Sequence, residues 1–212
     1  MGKNAIGSKW IFKNKMNEQG QVIGNKARLV CKGYSQIEGL DYDETFARVA
    51  RMEEIKMFLA FACYHDFKVY QMDVKFAFLN GDLEEEVYME QPEGFSLADK
   101  HDYVCRLKKA LYGLKQAPRS WYSRLDKYLK KQGFKKGVVD SNLYIKDNEN
   151  EHLIVVVDVD DFIFGSNKDE LAKGFVEEMK SEFEISMIGE LTFYLGLQIQ
   201  QKNTRIFISQ EK

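Results

Sequence analysis

Asp158, Asp160 and Asp161 crowd the middle of the run Leu153-Ile-Val-Val-Val-Asp-Val-Asp-Asp-Phe-Ile-Phe-Gly165. An apolar run, an acidic tip and a second apolar run predict a tight β-hairpin with carboxylates at its turn. Adjacent like charges repel and add nothing to a hairpin, so the chemistry they offer is the binding of a cation. A solvated, Asp-rich turn is the competing reading. Other metal chemistry is poorly supplied. His65, His101 and His152 are isolated, and Cys31, Cys63 and Cys105 are odd in number with no CxxC spacing. These cysteines suggest neither a zinc site nor a disulfide framework, and a metal here would be held by oxygen ligands.

A second feature is the distribution of charge. The chain of 212 residues has a formal net charge of −2. From Asp82 to Asp102, eight acidic residues face only Lys100, whereas from Arg106 to Lys136 eleven basic residues face only Asp126. A basic block of this size is either a solvated helix face or the footprint of a phosphate backbone. Tyr103, Tyr112, Trp121 and Tyr122 interleave with it and favour nucleic acid.

The elements that must position these residues follow from periodicity and turn chemistry. Residues 8–34 alternate as a strand pair turning at Asn17-Glu-Gln-Gly20, a basic two-stranded flap with Glu18 as its lone acid. Apolar residues at 52, 55, 58, 59 and 62 follow helical spacing. Lys68–Lys75 reads as a short strand ending near Asp73, with Asn80-Gly81 as a turn. Pro118 opens a helix with Trp121, Leu125 and Leu129 on one face, and Gly133 ends it. Ser166 or Asn167 is expected to cap a helix carrying Leu171, Phe175 and Met179. The segments 193–199 and 205–209 read as a closing hairpin. Helices and antiparallel strands without a βαβ rhythm give an α+β class. With 44% hydrophobic and 30% charged residues, and no Gly/Ser/Pro-rich linker, residues 1–212 are expected to form a single domain. No apolar run is long enough for a membrane span and no signal peptide opens the chain, so an intracellular, cytoplasmic location is expected.

Three blocks together carry a resemblance: Gln71-Met-Asp-Val-Lys-Phe-Ala-Phe-Leu-Asn-Gly81, Ala110-Leu-Tyr-Gly-Leu-Lys-Gln-Ala-Pro-Arg119 and the acidic hairpin. They closely resemble the reverse transcriptase of copia-type LTR retrotransposons, most like the plant elements. Lys26-Ala-Arg-Leu-Val-Cys-Lys-Gly-Tyr34, Asp43-Glu-Thr-Phe46 and Phe193-Tyr-Leu-Gly196 match the same family. The resemblance implies a right-hand fold of fingers and palm, with the thumb and RNase H segments outside the chain. It implies two-metal nucleotidyl transfer by an RNA-directed DNA polymerase. Asp73, Asp160 and Asp161 are then catalytic, with Asp73 and Asp160 as ligands of Mg²⁺ (two ions, Mn²⁺ as substitute). Lys26, Arg28, Phe78, Tyr112 and Gly113 are the implied nucleotide-binding residues. Lys115, Arg119, Asp158, Tyr194 and Gly196 are the implied template-primer residues. The implied partners are an RNA template, a DNA primer, dNTPs and other parts of a Pol polyprotein, in a virus-like-particle context.

Three positions depart from the family pattern. Asp158 stands where the family's hairpin has tyrosine, Phe76 where it has serine or threonine, and Arg48 where it has proline. A carboxylate at 158 adds repulsion near phosphate, about 1 kcal/mol at 4 Å in water and about 4 at an effective dielectric of 20. A catalytically inactive retrotransposon relic with residual nucleic-acid binding is therefore the alternative reading. A metal-dependent phosphoesterase on the same carboxylates is a third.

Overall fold

The computed structural model describes residues 4–17, 19–45, 49–97, 99, 102–202 and 205–210. Glu18, Phe46, Arg48, Lys100 and His101, each used in the sequence reading, lie outside the described residues. The fold is α+β, with mixed helices and antiparallel strands. Chain contacts divide it into two compact units, Met1–Ala47 with Phe78–Arg124, and Arg48–Ala77 with Leu125–Lys212.

The first unit contains an antiparallel ribbon of β1 (Ser8–Met16) and β2 (Val22–Cys31). Its register places Lys9, Ile11, Lys13 and Lys15 opposite Val30, Arg28, Lys26 and Gly24 on one face, and Trp10 and Phe12 opposite Leu29 and Ala27 on the other. Alternation of basic and apolar residues thus becomes a two-faced ribbon, since side chains in a strand point alternately up and down. The same unit holds all but the first residue of the one-turn helix α2 (Ala77–Asn80), and strand β4 (Asp82–Met89) paired with β5 (Cys105–Lys109). Its core gathers Ile6, Cys31, Val87, Met89, Ala110, Leu114 and Ala117.

The second unit is built on a six-stranded antiparallel sheet. In chain order its elements are α1 (Met52–Tyr64), β3 (Lys68–Val74), the later part of α3 (Ala117–Lys131), β6 (Lys135–Lys136), β7 (Leu143–Asn148), β8 (Glu151–Asp158), β9 (Asp161–Ser166), α4 (Asp169–Glu182) and β10 (Ile185–Glu190). The strands lie in the order β10-β3-β9-β8-β7-β6. A separate three-stranded sheet follows, with β11 (Phe193–Tyr194), β12 (Leu197–Lys202) and β13 (Arg205–Ser209). One sheet face buries Val69, Ile163, Val156 and Ile154 with Ile55, Phe58, Leu59 and Ala62 of α1 and with Tyr194, Leu197 and Ile199. The other face carries Phe164, whose ring meets Phe175 of α4 at 5.3 Å. Each such buried apolar side chain contributes roughly 1.5–3 kcal/mol.

Two local expectations are corrected. Neither Ser166 nor Asn167 caps α4, whose N-cap is Lys168. Ser166 Oγ instead accepts from the Lys168 N–H at 3.2 Å, and Asn167 bonds the His152 N–H and the Asn150 carbonyl, both at 2.9 Å. Asn167 thus serves the β7–β8 turn region, while Ser166 is used in a local bond to the N-cap residue. Segment 193–199 is not one strand: Leu195 (φ 46°) and Gly196 (φ 83°) turn it into the two strands β11 and β12. Two successive positive φ values in a two-residue loop are the signature of a type I′ hairpin.

Candidate functional site

The acidic end of the six-stranded sheet is a consequence of register. Asp73 of β3 pairs with Asp161 of β9, and Asp161 pairs with Asp158 of β8. Register partners point to the same side of a sheet, so three carboxylates stand abreast on three adjacent strands, spaced by the usual ~4.8 Å between strands. The next row on that face is Gln71, Ile163 and Val156, which begins the apolar core. Asp160 lies in the two-residue turn beyond the row, and its carbonyl accepts the Val74 N–H at 2.8 Å. Val159, the other turn residue, has φ 58°. A β-branched residue in the left-handed region stores on the order of 1–3 kcal/mol of strain, which the paired strands on either side sustain.

The electrostatics of this end are one-sided. Burial pushes the Asp161 carboxyl up to about 6, and the carboxylates of Asp160, Asp73 and Asp158 push the same way, while a hydrogen bond from Gln71 Nε2 at 3.4 Å opposes them. Asp158 is likewise raised by burial and by Asp160, against the Ala50 N–H that it accepts at 3.2 Å. Tyr194 is buried, its phenol held well above the ordinary value by burial and then by Asp158, Asp161 and Asp160.

An all-oxygen donor set of this kind suits a hard divalent cation. Among the described residues, no group of three or more His, Cys, Asp or Glu side chains is arranged to hold a metal ion. The carboxylates lie side by side along the sheet end and do not converge as a cage. That arrangement fits an ion that takes one or two carboxylates and completes its shell with water and phosphate oxygens.

In the first unit, the implied nucleotide-binding residues form a connected set. The Arg28 guanidinium lies 5.2 Å from the Tyr112 ring centre, and the Tyr112 and Phe78 rings lie 4.9 Å apart. Tyr112 is placed by its carbonyl, which accepts the Cys31 N–H at 2.7 Å. Gly113 has φ 90°, and a Cβ there would come within 2.1 Å of the Cys31 carbonyl oxygen. The bend therefore requires glycine both for its backbone and for its contact with β2. Lys26 is half-buried and faces Lys13 across the ribbon on the same face as Arg28.

The implied template-primer residues are more varied. Lys115 is exposed, and its N–H donates to Gln36 Oε1 at 2.8 Å. Arg119 already approaches Glu44 at 3.7 Å and Glu85 at 3.8 Å. Gly196 is exposed in its turn, whereas Tyr194 is only 2% exposed. Phe76 is 51% exposed in a left-handed bend (φ 56°).

Sequence reasoning missed several supports. Gln71 and the Ala50 N–H donate to Asp161 and Asp158 of the carboxylate row. Gln201 grips β3 from β12, accepting the Val69 N–H at 2.9 Å and donating to the Val69 carbonyl at 2.8 Å. Buried Gln116 accepts from Gln36 at 3.0 Å and donates to the Asp41 carbonyl at 3.0 Å. A fully buried glutamine next to the Tyr-Gly bend has no periodic signature; only the demand that buried amides be bonded would have flagged it, once burial was known.

The sequence matches the family described as Reverse transcriptase (RNA-dependent DNA polymerase) over residues 1–212. It is 43% identical to the retrovirus-related Pol polyprotein from transposon TNT 1-94 of Nicotiana tabacum, over all of this chain and 16% of that protein. It is 40% identical to the Pol polyproteins from transposons RE2 and RE1 of Arabidopsis thaliana, in each case over 98% of this chain and 14% of the relative. The chain thus spans 14–16% of the length of these relatives. No described helix is long and apolar enough to cross a membrane. The chain belongs to the reverse transcriptase (RNA-dependent DNA polymerase) family, in the branch carried by copia-type retrotransposon Pol polyproteins.

Proposed function

We propose that this chain carries the nucleotidyl-transfer centre of an RNA-directed DNA polymerase, as one fingers-palm domain of a larger Pol polyprotein. The observation that supports it most is the row of Asp73, Asp161 and Asp158 with Asp160 beside it, in which the carboxylates of Asp160, Asp73 and Asp158 all act on Asp161. In this reading the β1–β2 ribbon belongs to the fingers, and the six-stranded sheet is the palm. Asp73 and Asp160 hold divalent cations, Mg²⁺ or Mn²⁺, with Asp161 as the supporting carboxylate. Such ions supply charge neutralisation at a triphosphate and activation of the attacking oxygen.

The chain's own residues do the rest. Lys26 and Arg28 take the phosphates of a dNTP, the arginine by its planar fork. Tyr112 and Phe78 give the sugar and base an aromatic wall, with Gly113 allowing close approach. Lys115, Arg119, Asp158 and the Leu195–Gly196 turn serve the RNA template and DNA primer, with the buried Tyr194 anchoring that turn; Arg119 must leave Glu44 and Glu85 to do so. In the reaction the primer 3′-oxygen bonds to the α-phosphorus and pyrophosphate leaves. The relic reading is not favoured: of the three carboxylates that the chemistry needs, Asp73 and Asp161 are register partners and Asp160 lies in the turn beside them.

The test is primer extension on an RNA template with dNTPs and Mg²⁺, for this chain and for Asp158→Tyr. Extension by the unmodified chain is the expected result. Extension only after the substitution would trace a defect to the Asp158 carboxylate, and none from either folded protein would overturn the proposal.

A further inference from the structure

Where the chain leaves β2 it runs directly against the Tyr112–Gly113 bend. The Cys31 N–H donates to the Tyr112 carbonyl at 2.7 Å. A Cβ at Gly33 would collide with the Gly113 carbonyl oxygen, and one at Gly113 with the Cys31 carbonyl oxygen. Two backbones thus meet with no space for a side chain between them. Against this junction lie two buried glutamines, Gln36 and Gln116. Gln36 Oε1 accepts the Lys115 N–H at 2.8 Å, and Gln36 Nε2 donates to Gln116 Oε1 at 3.0 Å. Gln116 Nε2 donates in turn to the Asp41 carbonyl at 3.0 Å. A backbone N–H stands at one end of this chain of bonds and a backbone carbonyl at the other, so the orientation of each amide dictates that of the next. The Asp41 carboxylate accepts the Ile37 N–H at 2.8 Å and closes the loop that carries its carbonyl.

We propose that Gln36 and Gln116 are positioning residues for the incoming nucleotide: their amide chain fixes the Tyr112–Gly113 bend to the segment that follows β2 and so holds the Tyr112 ring against the Arg28 guanidinium. The inference rests on the reading of Arg28, Tyr112 and Phe78 as the dNTP pocket. Burying two amides gains little stability over an apolar pair of the same shape. What a directional chain of bonds adds is a single geometry, since its members are all satisfied in one arrangement only. The segments it ties together are those that build the pocket. Arg28 stands on β2, upstream of Cys31, and Tyr112 stands on the bend, with the ring centre 5.2 Å from the guanidinium. The Cys31–Tyr112 bond and the amide chain hold these two segments together at successive points. Loss of the chain lets the bend shift, and a small shift parts the ring from the guanidinium and misplaces the triphosphate.

The experiment is steady-state primer extension on an RNA template by the full chain, for the parent, Gln116→Met, Arg28→Ala, the two substitutions combined, and Tyr128→Phe. Methionine is close to glutamine in length and removes both bonds of Gln116. Tyr128→Phe is the control for lost stability alone, since it removes a hydroxyl bond of 2.6 Å to the Glu178 carbonyl in the second unit. Gln116→Met is expected to raise the KM for dNTP about 3- to 10-fold with kcat within about twofold, the signature of lost binding rather than lost chemistry. In the Arg28→Ala background the same substitution is expected to raise KM by less than about twofold, because the contact it positions is already gone. Tyr128→Phe is expected to lower Tm and keep the parent KM. A KM of Gln116→Met within about twofold of the parent, an equal rise in Tyr128→Phe, or a full additional rise beside Arg28→Ala would each overturn the role of the amides and leave the polymerase reading standing. A folded parent that extends no primer would overturn the polymerase reading, and this inference with it. If Gln116→Met does not fold, Gln36→Met, which leaves the Gln116–Asp41 bond in place, makes the same comparison with the same expected rise.

Discussion

The chain concentrates acidic residues in two places, and the structure treats them in opposite ways. Along β4, Asp82 meets Lys109 of β5 at 3.0 Å, Glu86 meets Arg106 at 3.7 Å, and Glu85 meets Arg119 at 3.8 Å. Three acids of the acidic block thus meet three cations of the basic block, so the basic block is not simply a surface awaiting phosphate. At the β8–β9 tip, Asp158 and Asp161 are acted on by other carboxylates, and among the described residues their hydrogen-bond donors are a backbone N–H and a glutamine amide. Clustered acid that is neutralised within its own sheet is structural. Clustered acid held together by register, each carboxylate raising its neighbour's pKa, is disposed to take a cation from outside.

The comparison can be tested from its strongest consequence downward. Asp73→Asn or Asp160→Asn should lower nucleotide addition by at least about 10²- to 10³-fold, the scale of removing one group that stabilises a charged transition state. Both variants should melt within a few degrees of the parent. Activity equal to the parent would show that the row is not the reaction centre. In the first unit, Arg28→Ala should raise the KM for dNTP about 10-fold with a smaller change in kcat, measured by steady-state extension. Arg28→Lys should recover it only in part, because an ammonium lacks the planar fork and stacks poorly on Tyr112.

Asp126 sharpens the contrast within the second unit. Although burial opposes ionisation, hydrogen bonds from Lys130 at 2.7 Å and Tyr144 at 2.9 Å, with Lys136 nearby, hold its carboxyl below the ordinary value. A carboxyl depressed in the folded state contributes stability above its unfolded pKa and loses that contribution as pH falls through the folded one. Asp126→Asn should therefore lower Tm at pH 7, and the gap to the parent should close as pH falls below about 4. A gap that is unchanged down to pH 3 would assign the effect of Asp126 to hydrogen bonding alone. The smallest effect belongs to the β4–β5 pairs. Lys109→Met or Glu86→Gln should change stability by no more than about 1 kcal/mol in denaturant melts, since both pairs are solvated. Neither should alter the metal dependence of extension; if one did, the division between structural and functional acid would fail.

The elements that the sequence made legible are those with a local cause. The ribbon over 8–31, helix α1 with Ile55, Phe58, Leu59 and Ala62 inward, helix α3 with Trp121, Leu125 and Leu129 buried, and the acidic hairpin all follow from period and turn chemistry. Features with a non-local cause were not legible. Asn167 looked like a cap but bonds the His152 N–H of β8 and the Asn150 carbonyl, and segment 193–199 looked like one strand but bends where Leu195 accepts a left-handed φ.

The sequence by itself determined the family, through three long motifs in order, and the chemical type of the site, through carboxylates at 73, 158, 160 and 161 with no clustered histidine or cysteine. Only the tertiary structure decided which carboxylates share a row, because strands distant in sequence pair by register. It also decided that Asp158 bonds the Ala50 N–H, that Arg119 is paired with acid, and that Tyr194 is buried in one core with Ile163 and Val156. The physical reason is that periodicity encodes which face a residue takes on its own element, whereas its neighbours across the sheet depend on long-range pairing that no local pattern specifies.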